Sequence, residues 1–265
     1  MSERKPLPGK FVWFELETDD TAKAKPFYAE VLGWKTVPFP MGDRTYEMIC
    51  AGETTDTMIG GYATPKKKTR GAAQWISYVS VEDVDAIAKA AKANGGKVLE
   101  PPFEIPGVGR SARIADPQGA ELCLLKNAEG DPPDAKNVPA GRFFWNELHT
   151  SNPVKALAFY EKVLGFSHKS MDMGPGSTYY ILSQGGVDRG GVTDHLTEGE
   201  APHWLPYVNV SDPDATVSRA RKLGATIPMA PEDIPGVGRF GVLQDPTGAA
   251  LAIMKPRPME RERTA

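Results

Sequence analysis

Two short stretches of the chain carry the side chains best suited to chemistry. At 11–17 (FVWFELE) and again at 143–149 (FFWNELH), an indole, a carboxylate and a third polar group fall on alternate positions. These are Trp13, Glu15 and Glu17 in the first stretch, and Trp145, Glu147 and His149 in the second. Successive side chains of an extended strand point to opposite faces, so each trio shares one face, and Val12, Phe14 and Leu16 share the other. A carboxylate beside an indole and away from water has its charged form disfavoured and its pKa raised, which suits a proton-abstracting group. Glu15 and Glu147 are therefore the candidate general bases. Glu147 and His149, two apart on one face, could also offer a carboxylate and an imidazole to one divalent ion. Such a site needs at least one more donor from another strand.

The two stretches belong to an internal repeat, which sets the organisation of the chain. GKFVWFELETDDTAKAKPFYAEVLGW from Gly9 aligns without a gap with GRFFWNELHTSNPVKALAFYEKVLGF from Gly141. IPGVGR at 105–110 recurs at 234–239, and Asp116-Pro117-x-Gly119-Ala120 recurs as Asp245-Pro246-x-Gly248-Ala249. A duplication gives domains over 9–127 and 141–256. The segment 128–140 between them, rich in Pro, Gly and charge, has linker composition. The tail beyond Met254 reads as a frayed terminus.

Within each half the pattern repeats again. A strand over 11–17 precedes a helix capped by Thr18, Asp19 or Asp20, with Ala24, Phe27, Val31 and Leu32 on its apolar stripe and Gly33 as its stop. Short strands follow near 34–39, 45–50 and 58–62. A strand over 75–81, a helix capped by Asp83 and ended by Asn94-Gly95-Gly96, and three more strands near 97–104, 110–115 and 121–126 restate the order βαβββ. Pro213 after Asp212 opens the matching helix of the second half. In the last strands Leu122 and Leu124 share the helix side, which leaves Glu121, Cys123 and Leu125 opposite. Ala250, Ala252 and Met254 correspond to these in the second half.

Composition narrows the function classes. The chain of 265 residues is 40% hydrophobic and 25% charged, a globular balance, with a formal net charge of −3. That charge argues against nucleic-acid and anionic-membrane partners. Lys66-Lys67-Lys68 with Arg70, the one basic cluster, reads as a solvated loop. No secretory signal or membrane-length apolar run is visible, and Cys50 and Cys123 have no metal-finger or disulfide spacing, so the expectation is a cytoplasmic protein. Four modules in one chain fit a monomer, with a homodimer as the alternative.

Phe27-Tyr28-x-x-Val31-Leu32-Gly33 and Phe159-Tyr160-x-x-Val163-Leu164-Gly165, Val81-Glu82-Asp83-Val84-Asp85 and Val210-Ser211-Asp212-Pro213-Asp214, and the two Asp-Pro-x-Gly turns occur in one order, twice. Together they resemble the glyoxalase/bleomycin resistance/dioxygenase superfamily, also called the vicinal oxygen chelate superfamily, over nearly all of 9–255. The resemblance implies an α+β fold in which four βαβββ modules form two domains with curved β-sheet cups, each cup receiving a small molecule or metal. The Trp–Glu faces then line the cups. The register it implies adds Ile76, Tyr78 and Ser80 to the first cup and Leu205, Tyr207 and Asn209 to the second.

Metal-using members typically carry a His or Glu at the start of each module's first strand and a Glu four residues after the turn glycine. In this sequence those positions are Trp13, Ile76 and Cys123 in one half and Trp145, Leu205 and Ala252 in the other. Only the cysteine could bind a metal, so the usual triad is absent. His203 falls just outside the cup positions, and His168 and His195 fall in turns or loops.

The leading expectation is a metal-independent protein that acts on or sequesters a small carbonyl or hydroxylated compound, with no cofactor. Tyr78 and Tyr207 would serve as donors to an oxyanion, and Trp13, Glu17, Glu121, Cys123, Trp145, His149 and Asn209 as ligand contacts. Arg110 and Arg239, at the ends of the IPGVGR hairpins, are candidate contacts for an anionic substrate or else structural ion pairs. Gly60-Gly61 and Gly190-Gly191 mark bulges or close approach to a cup. The alternative is a divalent-metal lyase or dioxygenase using nonstandard ligands such as Glu147 and His149.

Overall fold

The structure, a computed structural model, describes residues 4–41, 44–52, 57–65, 73–174, 177–197 and 199–257. The basic cluster Lys66–Arg70 and the tail from 258 lie outside them. The first module comprises β1 (Phe11–Glu17), α1 (Thr21–Leu32), β2 (Lys35–Met41), β3 (Arg44–Cys50) and β4 (Met58–Ala63). The second comprises β5 (Gln74–Ser80), α2 (Val84–Ala93), β6 (Lys97–Ile105), β7 (Gly109–Ala115) and β8 (Glu121–Asn127). The third comprises β9 (Phe143–His149), α3 (Pro153–Leu164), β10 (Ser167–Asp172), β11 (Thr178–Gln184) and β12 (Val187–Thr193). The fourth comprises β13 (His203–Asn209), α4 (Pro213–Lys222), β14 (Thr226–Ile234), β15 (Gly238–Gln244) and β16 (Ala250–Pro256). The expected four βαβββ modules are all present.

Local chemistry sets the helix boundaries. Asp20, Asp83, Asn152 and Asp212 each accept a hydrogen bond from the backbone N–H three residues on, which satisfies a first-turn donor. Gly33 and Gly165 close α1 and α3 in the left-handed region at φ 71° and 72°. The buried face of α1 is Ala24, Phe27, Tyr28 and Val31, with Tyr28 in the place expected for Leu32.

The modules merge in pairs into two curled eight-stranded sheets, β2-β3-β4-β1-β5-β8-β7-β6 and β10-β11-β12-β9-β13-β16-β15-β14. The central strands β1 and β5 run antiparallel, with Trp13 opposite Tyr78 and Glu15 opposite Ile76. β9 and β13 repeat this, with Trp145 opposite Tyr207 and Glu147 opposite Leu205.

The helix-bearing sides of the two sheets pack on each other crosswise. Phe14, Leu16, Phe27 and Tyr28 of the first module share a core with Val208, Val217, Leu251 and Ile253 of the fourth. Val79, Val84, Ile114 and Leu124 of the second share another with Leu148, Phe159, Tyr160 and Leu182 of the third. Phe14 stacks on Phe143 with ring centroids 3.9 Å apart. Two polar bridges cross the same interface. The Tyr28 hydroxyl donates to Asp245 Oδ2 at 2.8 Å and accepts from Trp75 Nε1 at 3.0 Å. Tyr160 repeats the pattern with Asp116 at 3.3 Å and Trp204 at 3.0 Å.

The peptide joining the halves is tied down along its length. Asp131 Oδ2 accepts from Leu7 N and Ser80 Oγ, Asn209 Nδ2 donates to Val138 O, and Arg189 Nη1 donates to Asp134. No helix among the described residues is long and apolar enough to cross a membrane.

Candidate functional site

Each sheet curls around the side chains that strand parity sends away from the helices. In the first cup Trp13 Nε1 donates to the Tyr46 hydroxyl at 3.1 Å, and Tyr46 donates to Glu15 Oε2 at 2.6 Å. Tyr78, from the adjoining strand, donates to Glu15 Oε1 at 3.2 Å. The second cup repeats the arrangement. Trp145 Nε1 donates to the Tyr179 hydroxyl at 2.9 Å, Tyr207 donates to Glu147 Oε1 at 3.0 Å, and Tyr179 also hydrogen-bonds Glu147. A carboxylate gripped by two phenols beside an indole is thus common to both cups.

Glycines make room for the second phenol. A Cβ on Gly61 would run into the hydroxyl and ring of Tyr46, and one on Gly191 into those of Tyr179. A Cβ on Gly60 would likewise run into the carbonyl oxygen of Phe14, and one on Gly190 into that of Asn146. The glycine pairs therefore serve close approach, one of the two uses expected of them. Tyr46 and Tyr179 were not anticipated, although the aligned Thr45-Tyr46 and Thr178-Tyr179, read with these glycines, carried the signal.

Beyond this shared floor the cups diverge. In the first, Arg113 donates to both oxygens of Glu17, at 2.6 and 3.0 Å, and through Nε to Glu121 at 2.7 Å. Gln74 adds a fourth bond, to Glu17 at 3.1 Å. Burial works against the charge of Arg113, but the two carboxylates outweigh it and hold the guanidinium ionised. Cys123 lies opposite Arg113 in the strand register, its thiol pushed up by burial. In the second cup the matching register pair is Val242 and Ala252, and Ala250 stands where Glu121 does. Leu205, Tyr207, Phe240, Ala252 and Met254 form an apolar cluster there, joined by Phe144 and Trp145.

The two glutamates are consequently driven in opposite directions. Burial pushes the Glu15 carboxyl above its usual range, and the neighbouring charge of Glu17 adds to it against the bonds from Tyr46 and Tyr78. Burial also acts on Glu147, but His149 overrides it: Nε2 lies 2.9 Å from Glu147 Oε1, and the carboxyl is held below its usual range. His149 Nδ1 lies 2.7 Å from the carbonyl oxygen of His195. A carbonyl only accepts, so Nδ1 carries a hydrogen, and a hydrogen on Nε2 as well makes the ring an imidazolium facing a carboxylate. The pKa of His149 is raised accordingly, burial being outweighed by Glu147. His203 stacks on His149 at 5.1 Å, and burial with the His149 charge pushes its pKa down.

Three of the other expected contacts are placed elsewhere. Arg110 donates to Asp85 and Glu104, and Arg239 to Asp214 with Asp233 nearby. Both lie one residue out of phase with the cup-facing positions of their strands, so the helix side claims them and neither reaches a cup. Asn209 is occupied by the carbonyl of Val138.

The family's metal positions fall on Trp13, Ile76, Cys123, Trp145, Leu205 and Ala252, a set without the donors a divalent ion needs. Both ring nitrogens of His149 already face oxygens, so the Glu147–His149 pair does not make up the shortfall. Among the described residues no group of three or more His, Cys, Asp and Glu is placed to hold an ion.

Comparison with known proteins bears on these cups. The family model "Glyoxalase/Bleomycin resistance protein/Dioxygenase superfamily" matches residues 10–124 and 143–253. The chain is 37% identical over 251 residues to "Putative glyoxylase CFP32" of Mycobacterium bovis, covering 94% of this chain and 95% of that one. It is 30% identical over 262 residues to "Anthracycline biosynthesis protein DnrV" of Streptomyces peucetius, covering 94% of each. The Mn(II)-bound glyoxalase from Novosphingobium aromaticivorans superposes with a TM-score of 0.64 at 19% identity, over 94% of this chain and 82% of that one, a likeness of fold.

Proposed function

The chain belongs to the glyoxalase/bleomycin resistance protein/dioxygenase superfamily, and from that footing we propose that its domains, 9–127 and 141–256 joined by 128–140, each receive a small organic molecule in the cup. In the first cup Glu15 acts as a general base on a carbonyl or hydroxylated compound. The observation carrying this reading is the doubly gripped, burial-raised Glu15 carboxyl, with two phenolic donors within 3.2 Å. A proton leaves the carbon next to the carbonyl for Glu15, and the C–H electron pair moves toward the carbonyl oxygen. Once protonated, Glu15 holds the phenols less strongly, which frees the Tyr78 or Tyr46 hydroxyl to donate to the developing oxyanion.

In the second cup Glu147, kept ionised by His149, is a fixed acceptor and not a base. The walls there, Trp145, Tyr207 and Phe240, suit a flat hydroxylated ring. The relative whose name refers to anthracycline biosynthesis supports testing aromatic hydroxy-ketones as ligands.

The test is hydrogen exchange in D2O, followed by proton NMR on hydroxyacetone, dihydroxyacetone and methylglyoxal. Native protein should wash out the signal next to the carbonyl, Glu15→Gln should slow this at least 100-fold, and Glu147→Gln should leave it within a few-fold. Undiminished exchange in Glu15→Gln rejects the base. Binding of these compounds without exchange by native protein assigns sequestration in place of catalysis.

A further inference from the structure

Where β1, β4, β9 and β12 begin, the peptide joining the halves crosses over a cavity of about 320 Å³, lined by Pro132–Ala135 and Val138–Pro139 on that side. Its other walls are largely aromatic and aliphatic: Phe11, Ile59, Phe143, Phe144 and Trp145. The volume falls within the roughly 300–1,000 Å³ of small-molecule sites. Neither Glu15 nor Glu147 lines it.

The charges around it do not cancel. Lys10, Arg142 and Arg189 line the cavity together with Asp134 and Asp188. Asp134 lies 2.7 Å from Arg189 Nη1 and 3.3 Å from Lys10 Nζ. Asp188 is taken by Lys169 at 2.9 Å and Ser183 at 2.6 Å. The Arg142 side chain makes no hydrogen bond or ion pair with the described residues. Its Nε is sealed from solvent without an acceptor, as is that of Arg189, whose side chain is only 8% exposed. Buried donors left unsatisfied are costly, and a guanidinium offers a planar fork matched to a carboxylate.

We propose that this cavity, which borders the second cup at Phe144 and Trp145 but is lined by neither glutamate, is a further binding site, for a small aromatic carboxylate. The carboxylate takes the free fork of Arg142, and the ring lies among Phe143, Phe144 and Trp145. With Asp188 taken by Lys169, Lys10, Arg142 and Arg189 face Asp134 alone, and a single negative charge offsets one of the two cations left in excess.

Calorimetric titration with 1-naphthoate tests the site, with 1-naphthamide as the uncharged match of the same shape. Saturable binding of the acid, at least tenfold weaker binding of the amide, and at least tenfold loss in Arg142→Gln at unchanged thermal stability are expected. Glu15→Gln and Glu147→Gln should bind the acid as native protein does. No saturation at millimolar naphthoate, equal affinity for acid and amide, or native affinity in Arg142→Gln overturns the site. So does loss of binding in Glu147→Gln, which moves the ligand to the cup.

Discussion

Glu147 and His149 face each other at 2.9 Å on one edge of the second cup, and each holds the other in its charged form. The contribution of a raised histidine is complete below its unfolded value of 6.5 and fades as pH rises through the higher folded value. That of a lowered carboxylate is complete above its unfolded value of 4.5 and fades as pH falls through the lower folded value. The pair therefore stabilises most between pH 4.5 and 6.5. His149→Ala should cost roughly 3 kcal/mol in that window, and the gap should narrow toward pH 9. Urea unfolding of both proteins across pH measures it; a pH-independent gap contradicts the ion pair.

Glu15 carries the opposite sign. Its folded value is raised, so the native protein loses stability as pH climbs from 4.5 toward that folded value. Glu15→Gln, neutral throughout, should therefore gain on the native protein over that climb. Melting temperatures of the two proteins at pH 4.5 and pH 8 give the comparison, and a variant that instead falls behind at pH 8 contradicts the assigned shift.

A methyl group at Gly191 has no space beside the phenol of Tyr179. Gly191→Ala should destabilise by about 1–3 kcal/mol through overpacking and should displace the Tyr179 hydroxyl from Glu147. Gly61→Ala should do the same to Tyr46 and Glu15. Denaturant unfolding reads the first effect. Proton NMR of the Glu147 and His149 titration reads the second, since Glu147 with fewer donors titrates higher.

The reciprocal tyrosine bridges are open to direct test. Tyr28→Phe removes the only hydroxyl that reaches Asp245 Oδ2 across the interface among the described residues, and should cost about 1–3 kcal/mol. Tyr160→Phe should cost less, its bond to Asp116 being longer at 3.3 Å. Equal losses in thermal unfolding would show that bond length does not rank the two.

Strand alternation made the indole–carboxylate faces readable, because a period of two leaves Trp13 and Glu15 no choice of side once Phe14 and Leu16 are committed to the core. The partners of those carboxylates were less accessible. Tyr46 lies 31 positions from Glu15 and Arg113 lies 96 from Glu17, and alternation within one strand says nothing about which distant strand lies alongside. Arg110 was the opposite case. It belongs to a recurrent motif and so drew attention, but it points toward Asp85 at the start of α2, while Arg113, outside any motif, enters the cup. The Asp-Pro-x-Gly aspartates were readable as turn formers, and Asp116 Oδ1 does accept from the backbone of 118, 119 and 120. Their second oxygen, given to a tyrosine of the other half, required the tertiary structure.

The crosswise packing of first module on fourth, and second on third, has a consequence for ancestry and engineering alike. Either half expressed alone would present to water the apolar backing it now shares, together with a tyrosine and an aspartate each lacking its opposite number. Two identical halves could satisfy both demands by exchanging them about a twofold axis. The present chain has the reciprocal contacts of such a symmetric pair joined end to end, and a single chain leaves its two hollows free to differ, the one lined by the Arg113 ion cluster and the other by aromatic surface.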